Sequence, residues 1–170
     1  MASEATCLPP DSLHALAETV LARCRARQWL VGVAESCTGG LVSAALTDIP
    51  GSSDVVDRGF VTYSDRAKAE LLGVPVPILV QHGAVSAEAA AAMAQGVLAK
   101  SKVDLAVAVT GIAGPDGGSA TKPVGLVWFG VMRRGTEPRI ERQVFAGDRA
   151  AVRAAATRRA LELLAEVAAG

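Results

Sequence analysis

The sequence predicts an α/β protein, a single-domain three-layer α/β/α sandwich with a mixed sheet. Three observations lead there. Short, near-continuous apolar runs such as Trp29–Val33 and Leu105–Val109 have the length and composition of strands buried on both faces. They alternate with longer segments of helical periodicity, the order expected when helices cover a sheet. The chain is also 51% hydrophobic but only 4% aromatic, so its core must be built from Val, Leu, Ile and Ala. With 170 residues there is enough chain for one such domain and too little for two.

The elements follow in order. Residues 1–10 carry Pro9-Pro10 without periodicity and are expected to form a flexible tail, with the folded domain over 11–170. Asp11 or Ser12 is suited to cap a helix reaching Arg27, with Leu13, Leu16, Val20 and Leu21 on one face. Trp29–Ala34 reads as a central strand, and Thr38–Leu46 as a helix opening at Gly39-Gly40. Ile49–Ser53 is a turn, and Val55–Tyr63 reads as a strand. Ser64 caps a short helix, Asp65–Leu72, which Gly73 ends.

Val74–Val80 holds two prolines and reads as a connector. Ser86 caps an alanine-rich helix through Ser101, with Glu88 in the first turn where the helix dipole favours an anion. Leu105–Val109 is the second buried strand. Val124–Met132 and Arg139–Phe145 form an antiparallel pair, and Gly147-Asp148 leads into a last helix over Arg149–Val167. Neither a repeat nor a linker divides the chain.

Composition narrows the function classes. Basic and acidic residues balance at 17 each, whereas duplex binding needs a basic excess, so nucleic acid is not the expected partner. Cys7, Cys24 and Cys37, with His14 and His82, lack metal-ligand spacing; no metal or cofactor is expected. Free thiols suit a reducing compartment. Neither a signal peptide nor an apolar run of membrane-spanning length is apparent, so a cytoplasmic protein without membrane attachment is expected.

Two glycine-rich turns carry the functional signal: Ala34–Gly40 and Thr110–Gly118, each following a buried strand. Strand ends beside glycines are where α/β proteins place ligands. Ser36, between strand and helix, can present its hydroxyl beside unpaired backbone N–H groups able to hold an oxyanion. Spacing alone fits equally well a Ser36 or Thr38 that merely caps the helix. Neither His14 nor His82 lies in a motif, although His82 can still line a pocket, so a lysine is the alternative base.

Lys68 is the best placed, one turn into the helix capped by Ser64, where burial would lower its pKa; Tyr63 stands close by to donate or relay a proton. A solvated surface lysine is the plain alternative. Cys37 competes as a nucleophile but reads as a small packing residue. Glu35 can orient the site, act as a base, or be a polar strand end. The second turn offers a concave nest of N–H groups near Thr110 and Gly111, or else a flexible loop. Asp116 and Lys122 can add polar contacts there. Arg149, at the start of the last helix, is placed to meet a phosphate.

Taken together, Ala34–Gly40, Gly59–Ser64, Gln81–Ser86 and Thr110–Gly118 closely resemble the CinA C-terminal domain family. Lys122–Gly125 and Phe145–Arg149 extend the match in register over roughly 11–167. Active members of that family are nicotinamide-nucleotide amidohydrolases, which turn nicotinamide mononucleotide and water into nicotinate mononucleotide and ammonia. The resemblance implies Ser36 as nucleophile, Lys68 as base and Tyr63 as assistant, without metal or cofactor.

It also implies that Thr110, Gly111, the glycine loop and Arg149 hold the nucleotide, with backbone groups of Cys37, Thr38, Gly39 and Gly40 around the reacting carbonyl. A homodimer is expected, since closed assemblies are common among small α/β enzymes. The competing expectation is a module that binds nucleotide without turnover.

Overall fold

The computed structural model describes residues 12–170; the expected tail over 1–10, and Asp11 as a cap, lie outside them. A five-stranded sheet runs in the order β2-β1-β3-β4-β5, with β1 Val31–Glu35, β2 Val56–Val61, β3 Leu105–Gly111, β4 Leu126–Arg133 and β5 Arg139–Val144. β1 pairs parallel with β2 and β3, while β4 pairs antiparallel with β3 and β5, which makes the sheet mixed as expected.

Among the described residues six α-helices cover it: α1 Leu13–Ala26, α2 Leu41–Thr47, α3 Asp65–Leu72, α4 Val76–His82, α5 Ala87–Ala99 and α6 Arg149–Ala169. One apolar core joins α1, α2 and α6 to Val31, Val33, Val107, Val109 and Phe129. A second joins α3, α4 and α5 to Ala34, Ala106 and Ala108 on the opposite face. The result is the three-layer sandwich.

Local chemistry fixes most boundaries. Ser12, Ser64, Ser86 and Asp148 each accept a hydrogen bond from a backbone N–H three residues on, so each cap satisfies a donor that the first turn would leave unpaired. α2 starts later than Thr38, at Leu41, because Gly40 takes a left-handed φ of 108° that ends the turn before the helix. The connector expected over 74–80 is in fact α4. Its prolines, Pro75 at the cap and Pro77 in the first turn, fall where no intrahelical N–H is required.

Where α5 crosses β4, the chains touch backbone to backbone: a Cβ on Gly130 would lie 2.5 Å from the Ala90 carbonyl oxygen. Small residues on both sides let this helix lie close to the sheet.

Candidate active site

The parallel pairing of β1 and β3 sets Glu35 beside Val109, so both strands end side by side. Ser36 donates its N–H to the Val109 carbonyl at 2.9 Å, which places the two glycine-rich turns in one location. Between them opens a cleft of about 300 Å³ whose lining includes Ser36, Cys37, Tyr63, Lys68, Thr110, Gly111 and Arg149. Asp65, Asp116 and the Ala84-Val85 segment line it as well.

Lys68 comes from the opposite layer. The end of β2 is stitched to β1 by the Thr62 N–H on the Glu35 carbonyl, 2.8 Å, and the Ser64 cap then starts α3. That start turns Lys68 inward, where it is only 1% exposed. Its Nζ lies 3.0 Å from Ser36 Oγ and donates to the Thr62 carbonyl at 2.8 Å. Burial pushes its pKa below the ordinary lysine range, against the pull of nearby Asp65. A buried amine of lowered basicity against a serine hydroxyl can take that proton.

The neighbours have definite tasks. Burial pushes the Cys37 thiol up to about 11, so Cys37 stays protonated and fills space against Gly111, where an added Cβ would sit 3.1 Å from its Sγ. Thr110 Oγ1 donates to the Ala84 carbonyl at 2.7 Å and pins that loop against the cleft. Arg149 donates to the Gly114 carbonyl and to the Tyr63 hydroxyl, both at 2.9 Å, bridging the second glycine turn to the end of β2. Tyr63 is thus a rim residue, 61% exposed, whose hydroxyl is bonded to Arg149 and not to Ser36 or Lys68.

Other candidates stand apart. Thr38, Gly39 and Gly40 do not line the cleft; the Gly39 N–H is taken by the Ser36 carbonyl and that of Gly40 by the Glu35 carboxylate. His82 ends α4, 3.5 Å from Glu88, and Lys122 donates to the His82 carbonyl at 2.5 Å; both line a neighbouring groove. Among the described residues no cluster of three or more His, Cys, Asp or Glu could hold a metal ion.

Sequence reading missed three participants. Thr62 acts through its carbonyl, which any residue could offer. Asp65 reads only as a first-turn acid. Arg153, on α6, donates to the Cys37 and Thr38 carbonyls at 3.1 and 3.2 Å, a partnership that spacing cannot reveal.

Comparison with known proteins places this geometry in context. The model of the CinA C-terminal domain matches residues 13–168. The chain is 55% identical over 141 residues to the nicotinamide-nucleotide amidohydrolase PncC of Enterobacter agglomerans, covering 83% of this chain and 86% of that one. It is 51% identical over 154 residues to the protein of that name from Escherichia coli K12, covering 91% and 93%. The crystal structure of the competence/damage inducible protein CihA from Agrobacterium tumefaciens superposes with a TM-score of 0.91 at 44% identity, covering 97% and 99%. On the match over 13–168 and these identities, the chain belongs to the CinA C-terminal domain family.

Proposed function

We propose that this chain is a nicotinamide-nucleotide amidohydrolase that converts nicotinamide mononucleotide and water to nicotinate mononucleotide and ammonia. The observation that carries the reading is the buried contact of 3.0 Å between Lys68 Nζ and Ser36 Oγ at the floor of the cleft. The family and the activity named for its 55% identical relative supply the substrate.

Neutral Lys68 takes the Ser36 hydroxyl proton as Oγ attacks the carboxamide carbon. The carbonyl oxygen becomes an oxyanion facing backbone N–H groups of the Ser36 turn. Its collapse breaks the C–N bond, and the proton held on Lys68 leaves with the nitrogen as ammonia. Water then attacks the resulting ester while giving a proton to Lys68, and that proton returns to Ser36 as nicotinate mononucleotide is released.

Arg149 meets the phosphate, Tyr63 steadies that guanidinium from the rim, and the Thr110–Gly118 loop encloses the ligand. Each step uses only side chains of this chain and water. We read the protein as a cytoplasmic homodimer serving pyridine-nucleotide recycling; its free thiols suit a reducing compartment, and no described helix is long and apolar enough to cross a membrane.

Assaying ammonia release from nicotinamide mononucleotide tests the reading. Purified protein should release ammonia, and Ser36→Ala should abolish it while product binding persists. Binding of nicotinamide mononucleotide without ammonia release from the unmodified protein would instead indicate a binding module, and full activity of Ser36→Ala would refute the nucleophile.

A further inference from the structure

The turn that carries Ser36 is held on two sides by charged side chains absent from the lining of the cleft. Glu35 is fully buried, and its carboxylate accepts from the N–H groups of Gly40, Val42 and Ser43 at 3.0, 3.1 and 2.8 Å. It also accepts from Ser43 Oγ at 2.8 Å. An ordinary N-cap side chain satisfies one backbone donor; this carboxylate satisfies three and a hydroxyl besides. From the α6 layer, Arg153 grips the carbonyls of Cys37 and Thr38.

These contacts set the direction of the peptide planes. In a trans peptide the C=O and the following N–H point opposite ways. By drawing the Cys37 and Thr38 carbonyls toward α6, Arg153 fixes the planes of the two peptides that follow the nucleophile. The remaining N–H groups of the turn are spoken for. Ser36 donates to Val109, Gly39 to Ser36, Leu41 to Thr38, and Gly40, Val42 and Ser43 to Glu35. Among the described residues, only the Cys37 and Thr38 N–H groups of residues 36–43 have no acceptor on another residue.

We propose that Glu35 and Arg153 are positioning residues that clamp the Ser36 turn and reserve the N–H of Cys37, which borders the cleft, for the oxyanion. The proposal rests on the reading of Ser36 as nucleophile. Glu35 is thereby removed from the list of bases, because both its oxygens are committed to backbone donors.

The test compares Glu35→Gln and Arg153→Gln with the unmodified enzyme. Each is expected to lower kcat for ammonia release about 10- to 100-fold, with KM and the calorimetric affinity for nicotinate mononucleotide changed less than about threefold. The rate at which a small sulfonyl fluoride labels Ser36 should fall in parallel, a change that lost stability alone does not produce in folded protein. Arg153→Lys, whose ammonium can reach one carbonyl, should recover part of the loss.

If Glu35→Gln does not fold, Ser43→Ala removes one of the four contacts and should give a smaller loss in kcat of the same kind. Unchanged kcat per folded molecule in the Arg153 and Glu35 or Ser43 variants, or a loss carried in KM, overturns the clamp. Ser36→Ala separates the two ideas: its full activity sinks the nucleophile reading, whereas an inactive Ser36→Ala beside fully active clamp variants sinks the clamp alone.

Discussion

Replacing Lys68 by Met is expected to abolish ammonia release and yet make the protein more stable near neutral pH. Lys68 is 1% exposed, and Met keeps its length and apolar stem. Burial lowers the Lys68 pKa, and each pH unit of lowering costs the fold roughly 1.4 kcal/mol below the lowered value. The variant forfeits the hydrogen bonds of Nζ to Ser36 and the Thr62 carbonyl, worth about 1 kcal/mol each.

The variant is therefore expected to be the more stable protein at pH 7, at roughly 2–4 °C in Tm for each kcal/mol gained. Because the pKa of Lys68 is lowered by burial, the folded chain binds fewer protons than the unfolded chain between the lowered and the ordinary values. Wild-type stability accordingly rises with pH through that window. Met carries no proton and makes neither bond, so its advantage must shrink as pH rises and reverse before the ordinary lysine pKa is reached. Urea unfolding of both proteins at pH 7, 8.5 and 10, beside an ammonia assay, measures this. A variant less stable at pH 7, or a difference that does not narrow with pH, would refute the reasoning.

Further outcomes follow from the same geometry. Arg149→Met should raise KM for nicotinamide mononucleotide about 10- to 100-fold, the worth of a charge-assisted hydrogen bond, and leave the phosphate-free riboside nearly unaffected; steady-state kinetics on both substrates decide it. The Arg159 guanidinium holds the Glu141 carboxyl down to about 2 through contacts of 2.6 and 2.8 Å. That stabilisation is complete above the usual carboxylate pKa and is lost as pH falls toward 2, so Arg159→Met should flatten the loss of Tm between pH 5 and pH 3, roughly the window in which carboxylates titrate. Gly130→Ala forces a methyl to 2.5 Å from the Ala90 carbonyl and should destabilise by about 2–3 kcal/mol, readable as a lower urea midpoint.

What the sequence disclosed was governed by locality. The caps at Ser12, Ser64, Ser86 and Asp148 act within one turn, and each is legible from residue type and spacing. The buried strands β1 and β3 announce themselves by unbroken apolar runs. α4 was hidden because Pro75 and Pro77 read as breakers until the structure places them at the helix start. At the site, Ser36 and Lys68 are recognisable as types, but their contact spans 32 residues and depends on β2 being pulled against β1. The family resemblance, not spacing, joined them. Arg153 meets Cys37 across 116 residues, and no local pattern predicts that. Glu35 was ambiguous for another reason: a carboxylate beside a nucleophile reads as a base until its acceptor capacity is counted.

The helix α6 carries Arg149 and Arg153 one turn apart, the first bonded across the cleft to Tyr63 and the second to the nucleophile turn. Both are fixed to one 21-residue rod whose far half is seated by Leu161, Leu163 and Leu164 in the core. Leu164 lies eleven residues, about 16 Å, along the axis from Arg153. A slip of this rod under strain at its buried end would shift both arginines in the same direction at once. Side chains far from any ligand can thus tune grip and reactivity together, and the core of α6 is mechanically part of the enzyme's working parts.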